Sequence, residues 1–388
     1  MEENIQVSVI MPVHNGEKYL RDTLDCVVNQ TLKNIEIICV NDGSDDGSIQ
    51  ILEEYSRKDS RILVVNQEKS NAGVARNQGL KQAKGKYLVF WDSDDLFETN
   101  ALEVMFNQCE HDGADLCVCN ANQYYTDTGA YLDRPYYLKE KFLPEQIPFS
   151  RKIIGPYILN FTTSVPWNKM VKAEFIKEKE ICFQDIERAN DQYFSILSIT
   201  LAERITVVRD ILVHYRVRQD GNLTKDFSST PMCAFYALKA SYDKLMELGV
   251  LQEEDLRRSF ANKALNSLIY SLNIQNDVAA YKQLYEYLTQ GGFENVGICD
   301  CGKDYYFSPA EYKNYKKMMA HTYTEFLLLK NKEYRDSIVE KNQKNKELVQ
   351  ENKELKKDRK ELNSIKSRKW YKIITKMLDI LDRIKGKK

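Results

Sequence analysis

Short apolar runs rich in β-branched residues alternate with amphipathic segments through about the first hundred residues. The runs are Val7 to Met11, Ile35 to Val40, Ile62 to Val65, Tyr87 to Trp91 and Leu116 to Cys119. Between the first two, Leu20, Leu24 and Val27 recur at the spacing of one helix face. The alternation predicts an α/β fold: a mostly parallel, Rossmann-like sheet with helices on both faces.

Polar loops follow three of these runs, at the ends where the loops of such a sheet converge and ligands bind. They read MPVHNGE, NDGSDDGS and WDSDD. A single acidic loop is as often a solvated turn or a helix cap, but three loops at one rim favour a ligand site.

Asp92 and Asp94 lie two residues apart just past a strand, and a divalent cation would relieve their mutual repulsion. Hard oxygen ligands suit Mg²⁺ or Mn²⁺. Because a small cation with open positions commonly bridges phosphates, a diphosphate is the natural partner.

Four segments together resemble the family 2 glycosyltransferases, inverting enzymes of the GT-A fold that use nucleotide-diphosphate sugars. The segments are SVIMPVHNGEKYL, VNDGSDDGS, NAGVARNQGLKQAKGKYLVFWDSDD and PWNKMVK. The match is ordered over about residues 7–96 and looser to about residue 225. The resemblance implies Mn²⁺ or Mg²⁺ as cofactor and a donor that is commonly UDP-linked.

The resemblance also implies roles for matching residues in the donor half. Its first loop borders the nucleoside and corresponds to Pro12, Val13, Asn15 and Glu17, although His14 stands where Tyr or Phe is more usual. Asp42 matches the aspartate that contacts the base, while Asn41 replaces a frequent second aspartate.

The next two matches concern the diphosphate. Asn71 matches an asparagine that borders the base, and Arg76 an arginine that faces the donor diphosphate or sugar. The DXD signature is matched by Asp92, Ser93 and Asp94, with Asp94 the firmer metal ligand. Asp95 is expected to cap a helix or turn, because LFETNALEVMF has a helical pattern.

Inverting transfer also needs a base that takes the proton of the acceptor hydroxyl. In the family this is an aspartate of an acidic pair followed by an aromatic residue. Asp191 is the best match in FQDIERANDQYF, with Asn190 where Glu is usual and with Asp185 and Glu187 as rivals.

Three further residues each have two interpretations. Trp167 resembles an acceptor-side aromatic residue but is equally expected in a core. His214 and Arg216 correspond to groups near the leaving diphosphate, where a cation or a third metal ligand would help, and His214 is as readily an ordinary strand-end histidine.

The chain divides into a GT-A domain at 1–225, with a nucleotide-sugar half at about 1–115 and an acceptor half at about 116–225, and a helical domain at 226–330. In the charged segment 331–365, Leu348, Leu355 and Leu362 are spaced by seven, which suits a short coiled coil that makes a homo-oligomer or a solvated single helix.

Residues 366–388 combine nine Lys or Arg with two Asp and an apolar stripe. They predict a basic amphipathic helix on an anionic membrane surface, or one docked on the protein's own helical region. The stripe consists of Trp370, Ile373, Ile374, Met377, Leu381 and Ile384.

Nine irregularly spaced cysteines fit neither a zinc pattern nor a disulfide framework, and no run of 18 apolar residues occurs. A cytoplasmic setting is therefore expected. The basic tail and the family resemblance imply bacterial cell-surface glycan assembly at the inner face of the membrane, with a glycan or lipid-linked acceptor and no nucleic-acid partner. A non-catalytic membrane-associated scaffold is the main alternative. A sugar nucleotidyltransferase is disfavoured, since the loop after the first strand has one glycine.

Overall fold

The computed structural model describes residues 5–217, 229–367, 373 and 375–377. Internal contacts divide the chain into two units, Met1–Ala320 and His321–Lys388. Most of the basic tail, including Trp370, Ile374, Leu381 and Ile384, lies outside the described residues. The subdivision at residues 115, 225, 330 and 365 stays a prediction.

In the described part of the first unit, nine strands form one mixed sheet. They are β1 (Val7–Val13), β2 (Ile35–Asp42), β3 (Ile62–Gln67), β4 (Tyr87–Phe90), β5 (Leu96–Phe97), β6 (Leu116–Tyr125), β7 (Ala130–Asp133), β8 (Lys169–Lys172) and β9 (Ile205–Val217). The order is β3-β2-β1-β4-β8-β6-β9-β5, with β7 on the edge of β6. Each of the five apolar runs forms a strand, as predicted.

The first four strands of the order are parallel, and β8 then enters antiparallel between β4 and β6. This reversal makes the sheet mixed. The parallel part is buried on both faces, with Val9, Ile37 and Val89 fully buried, because helices cover each side.

Eleven α-helices belong to the described part of this unit. They are α1 (Glu17–Val28), α2 (Ser48–Lys58), α3 (Ala72–Gln82), α4 (Ala101–Asp112), α5 (Arg151–Ile154), α6 (Ala173–Glu178), α7 (Asn190–Leu201), α8 (Cys233–Glu247), α9 (Glu254–Asn273), α10 (Val278–Tyr287) and α11 (Pro309–Ala320). The helical region after the sheet is as predicted, and Leu265, Leu268 and Leu272 on α9 are buried.

The structure also contains a disulfide between Cys299 and Cys301. The cysteine spacing did not predict it, because two residues of separation allow a pairing only if the chain turns between them. The seven other cysteines are free thiols.

The second unit contains α12 (Tyr323–Ser367), a helix of 45 residues. The side chains of Leu348, Leu355 and Leu362 are exposed on it. Glutamine–glutamate hydrogen bonds one turn apart, such as Gln343 to Glu347, support the helix locally. No described helix is both long and apolar enough to cross a membrane.

Candidate active site

The loops after β1 and β2 lock onto each other at the rim of the sheet. Asn15 adopts a left-handed backbone with φ of 49°, and its side-chain oxygen accepts a hydrogen bond from the Asp45 amide at 2.9 Å. Glu17 accepts one from the Gly47 amide at 2.9 Å. The side chains of both predicted first-loop polar residues, Asn15 and Glu17, therefore bind backbone amides of the second loop. Pro12 and Val13 lie at the end of β1, beside Val40 and Asn41 of β2.

Asp42 ends β2 and is buried. Its Oδ1 accepts hydrogen bonds from Gln67 Nε2 at 2.7 Å and from the Ser70 amide at 2.8 Å. Among the described residues its Oδ2 has no hydrogen-bond partner. Asp42 is thus fixed in orientation with one oxygen left for a ligand. Its neighbour Asn41 is held by Asn66 at 2.9 Å.

Asn71 is the N-cap of α3, accepting from the Val74 amide at 3.1 Å, and it also donates to Asp185 Oδ1 at 2.7 Å. The two residues are 114 positions apart in the chain. Gly73 makes the approach possible, because a Cβ there would overlap the Gln184 carbonyl oxygen. The glycine of this motif therefore serves helix packing.

Arg76 lies buried on α3 and joins the two halves of the site. One guanidinium nitrogen donates to Asp92 Oδ1 at 2.6 Å and the other to Asn190 Oδ1 at 3.1 Å. The guanidinium carbon lies 5.3 Å from the centre of the Phe183 ring. This geometry aligns the DXD loop with the start of α7. Asn190 was noted only for departing from the family pattern, and it proves to be a contact of Arg76.

Asp92, Ser93 and Asp94 form the loop between β4 and β5. Asp92 is 28% exposed, and its Oδ2 has no hydrogen-bond partner in the part of the chain that the structure describes. A Cβ on Gly16 would lie 3.5 Å from Ser93 Oγ, so this loop also contacts the start of α1.

Asp95 was expected to cap a helix or a turn. Its amide closes a turn by donating to the Asp92 carbonyl oxygen at 3.4 Å, but the helix-cap interpretation is wrong. α4 begins six residues later, after Asn100, and Asp95 is fully buried. Its Oδ1 accepts a hydrogen bond from the Arg216 amide at 2.8 Å. Burial, reinforced by the charge of Asp92, raises the pKa of Asp95 well above its ordinary value. Asp95 therefore anchors the loop of Asp92 to Asp94 to the neighbouring strand β9 through the Arg216 amide.

Arg216 and His214 lie on β9, and both are engaged by protein groups. Arg216 is buried, donates to the Asp94 carbonyl oxygen at 2.6 Å and stacks on Tyr19 at 4.5 Å. His214 Nδ1 lies 2.7 Å from Asn122 Oδ1 and Nε2 lies 2.9 Å from Glu98 Oε1. A ligand role for His214 stays a prediction and would require one of these bonds to open.

Asp191 occupies the first turn of α7, beside Asn190. Burial raises the pKa of Asp191; the positive charge of Arg76 opposes this shift and the negative charge of Asp92 adds to it. The carboxyl group of Asp191 therefore interacts electrostatically with both Arg76 and Asp92. Its rivals differ: Asp185 and Glu187 are exposed, and Asp185 is held by Asn71.

Trp167 is 2% exposed and belongs to the core. It packs against Tyr137 at 5.1 Å and parallel to Tyr215 at 5.9 Å between ring centres. The core interpretation of this residue accounts for all of its described contacts.

The protein side chains at this site supply only some of the ligands that a hard cation needs. Among the described residues, no three His, Cys, Asp or Glu side chains cluster closely enough to hold a metal ion. Asp92 and Asp94 supply two carboxylates, which suits Mg²⁺ or Mn²⁺ that takes its other ligands from phosphate and water.

The strand ends, loops and helices at this edge of the sheet carry Asp42, Asn71, Arg76, Asp92, Asp94 and Asp191. His214 and Arg216 lie on β9, and Arg216 contacts the loop of Asp92 to Asp94 from that strand. The model of a family described as glycosyl transferase family 2 matches residues 8–176.

Among the relatives, the putative glycosyltransferase EpsH of Bacillus subtilis is 34% identical over 218 residues, which is 55% of this chain and 62% of EpsH. Glycosyltransferase GlyG of Streptococcus pneumoniae is 30% identical over 57% of this chain and 74% of GlyG. The chain therefore spans less than two thirds of EpsH.

Among solved structures, that of S. aureus TarS 1–349 in complex with UDP-GlcNAc aligns with a TM-score of 0.56. The alignment covers 75% of this chain and 89% of that one at 18% identity. The shared fold includes the helical region that follows the sheet.

Proposed function

The chain belongs to the family 2 glycosyltransferases, and from this membership we propose that it moves a sugar from a nucleotide-diphosphate sugar to an acceptor hydroxyl. The observation that carries the proposal is the double contact of Arg76 with Asp92 and Asn190. It joins a candidate metal and diphosphate site to the helix turn that holds a carboxylate of raised pKa.

In this mechanism Asp42 and Asn71 orient the nucleoside, and Arg76 binds the diphosphate with its cationic guanidinium. Asp92 and Asp94 would hold Mg²⁺ or Mn²⁺, which when bound would offset negative charge on the leaving nucleoside diphosphate. Asp191 takes the acceptor proton as the hydroxyl oxygen bonds to the anomeric carbon and the bond to the diphosphate breaks. The anomeric configuration is inverted.

The donor and the setting are part of the same proposal. A UDP-linked hexose or N-acetylhexosamine is the first donor to test, since the TarS structure of this fold was solved with UDP-GlcNAc. We take the acceptor to be a glycan or lipid-linked molecule of bacterial cell-surface polysaccharide synthesis, reached at the cytoplasmic face of the membrane.

The test is release of the nucleotide leaving group with Mn²⁺ or Mg²⁺: a nucleoside diphosphate from a panel of UDP-, GDP- and dTDP-sugars, and CMP from CMP-sugars. The panel is run on the wild type, Asp94→Asn and Asp191→Asn. The matched control is Asp210→Asn, because Asp210 is an exposed residue of β9. We expect metal-dependent release from one donor, lost in both site variants and kept in the control. Absence of release from every donor would instead support a scaffold. Formation of a nucleoside triphosphate and a sugar 1-phosphate when pyrophosphate is added would support a nucleotidyltransferase.

A further inference from the structure

Two partly buried lysines, Lys139 and Lys263, are the feature from which we start. Within the described residues, neither ammonium group has a hydrogen bond or an ion pair. Lys169 shows what the fold does with a structural lysine: it is buried, and its Nζ donates to the carbonyl oxygens of Thr163 and Val165. Lys139 and Lys263 have no such acceptors in the part of the chain that the structure describes.

The position of Lys263 follows from its neighbours on α9. Ser259, Lys263 and Ser267 are spaced by four and lie on one helix face. Ser259 Oγ accepts a hydrogen bond from the Leu159 amide at 3.0 Å, and Ser267 Oγ donates to Gln192 Oε1 at 3.3 Å. Lys263 therefore lies between the segment around residue 160 and the first turn of α7.

Lys139 reaches the same place from another part of the chain. Its backbone amide donates to the Phe161 carbonyl oxygen at 2.7 Å, and Leu138 pairs with Thr162. The Ser195 hydroxyl of α7 bonds to the Ser164 carbonyl oxygen of the same segment. Residues 159–164 thus form one wall against which both lysine-bearing segments and α7 are packed.

The charges interact. Burial lowers the pKa of Lys263 to about 8, with a further lowering by Lys139 and an opposing effect of Asp191. Burial also lowers the pKa of Lys139. Desolvated cations without a partner are unfavourable in a folded protein, and a bound anion would remove that cost.

We propose that Lys139 and Lys263 form an anion subsite beside Asp191 and that it binds a phosphate ester of the acceptor. The inference rests on the proposed function and names its acceptor class. Phosphate suits two separate ammonium groups, because its several oxygens can accept from both while its charge balances theirs. The hydroxyl to be glycosylated would then lie within reach of Asp191 on the same molecule.

Glycerol 3-phosphate is the probe, titrated calorimetrically into the full chain in the presence of UDP and Mg²⁺, which fill the donor site. The proteins are the wild type, Lys139→Met, Lys263→Met, Lys263→Arg and Lys141→Met. Lys141 is an exposed lysine two residues from Lys139, so it is the matched control. Thermal melts verify that each variant folds, and the charge-conserving Lys263→Arg keeps the test valid if Lys263→Met does not.

We expect saturable binding to the wild type, weakened about tenfold by each methionine change at the subsite and little by Lys263→Arg or Lys141→Met. Uncharged glycerol should not bind. Binding that is equal in all variants, or absent from the wild type in both this titration and the vesicle assay that follows, would overturn the subsite.

A second arm separates a soluble phosphate ester from a lipid phosphate. Co-sedimentation with phosphatidylcholine vesicles containing undecaprenyl phosphate is compared with the titration. Lysine-dependent binding to vesicles alone would assign the phosphate to a lipid, and lysine-dependent binding to the glycerol probe supports a soluble ester. Neither arm needs turnover. The subsite can therefore be supported even if no donor is turned over, and the transferase activity can be supported even if the subsite is not.

Discussion

At the scale of single residues, Asp191 links the structure to a measurable pH dependence. Burial raises the pKa of its carboxyl group, so the deprotonated form needed of a base appears at a higher pH than for an ordinary aspartate. We expect kcat/KM to be low in acid and to rise with pH through this raised pKa. A profile whose acidic limb has its midpoint at or below the ordinary aspartate pKa would contradict the role of Asp191.

Substitution of Asp191 should also lower the rate of sugar transfer by a predictable factor. Asp191→Asn removes the base but keeps the shape of the side chain, and transfer should fall by about 10²- to 10⁴-fold. Thermal unfolding should be little changed, since Asp191 has no ion pair that supports the described fold. The comparison is made at saturating donor, with Asp210→Asn again as the control.

Lys263 gives a prediction for stability. Its pKa of about 8 lies below the ordinary 10.5, so the unfolded chain holds this proton more tightly than the folded one. Ionisation therefore disfavours folding below about pH 8, and stability is regained as pH rises from 8 toward 10.5. Lys139, Lys169 and Asp191 are charged groups that interact with it.

Lys263→Met should accordingly increase the free energy of unfolding at pH 7, on the order of 1 kcal/mol. The gain should shrink toward pH 10, when the wild-type lysine is neutral. Urea unfolding at the two pH values measures it, with Lys141→Met beside it. A destabilised Lys263→Met protein at pH 7 would show that the ammonium group is paired in the folded state.

At the scale of elements, the packing of α3 offers a matched pair of substitutions. A Cβ on Gly73 would overlap the Gln184 carbonyl oxygen, and one on Gly79 would overlap the Ile10 side chain. Each alanine change should cost about 1–3 kcal/mol of stability by overpacking.

Only Gly73→Ala should also weaken nucleotide binding, because only this change pushes away the segment that holds Asp185 and Asn190. UDP affinity, measured by titration at a temperature where both variants are folded, separates the two. Equal affinities would mean that the contact between α3 and residues 184–190 does not shape the donor site.

The elements also show what sequence patterns can and cannot predict. The strands before each polar loop were predictable because β-branched runs and the loops between them are local signals. The contact of Arg76 with Asn190 was not, since it joins residues 114 positions apart. The helix-cap interpretation of Asp95 was wrong because the partner of its side chain, the Arg216 amide, lies on a strand 121 residues further along the chain. Lys139 and Lys263 lie in segments without a motif, and their isolation from acceptors is visible only in three dimensions.

At the scale of the whole molecule, α12 carries the remaining proposal, self-association. Its exposed leucines repeat every seven residues and Asn345 and Asn352 occupy alternate positions, which suits a short parallel coiled coil. We expect light scattering to give an oligomer for the full chain and a monomer for Leu348→Glu/Leu355→Glu. Unfolding of the first unit should be unchanged. A monomeric wild type would leave α12 as a solvated single helix.

The wide separation in sequence between Arg76 and the first turn of α7 has a consequence for biosynthesis. A ribosome adds about 5–20 residues per second, so roughly 5–25 s pass between emergence of the donor-side residues and emergence of Asp191. The early βα units make mostly local contacts, which favours their rapid folding. The parallel strands can therefore fold while the proposed donor site is still incomplete, and that site is finished only when α7 packs onto α3 and Asn190 reaches Arg76.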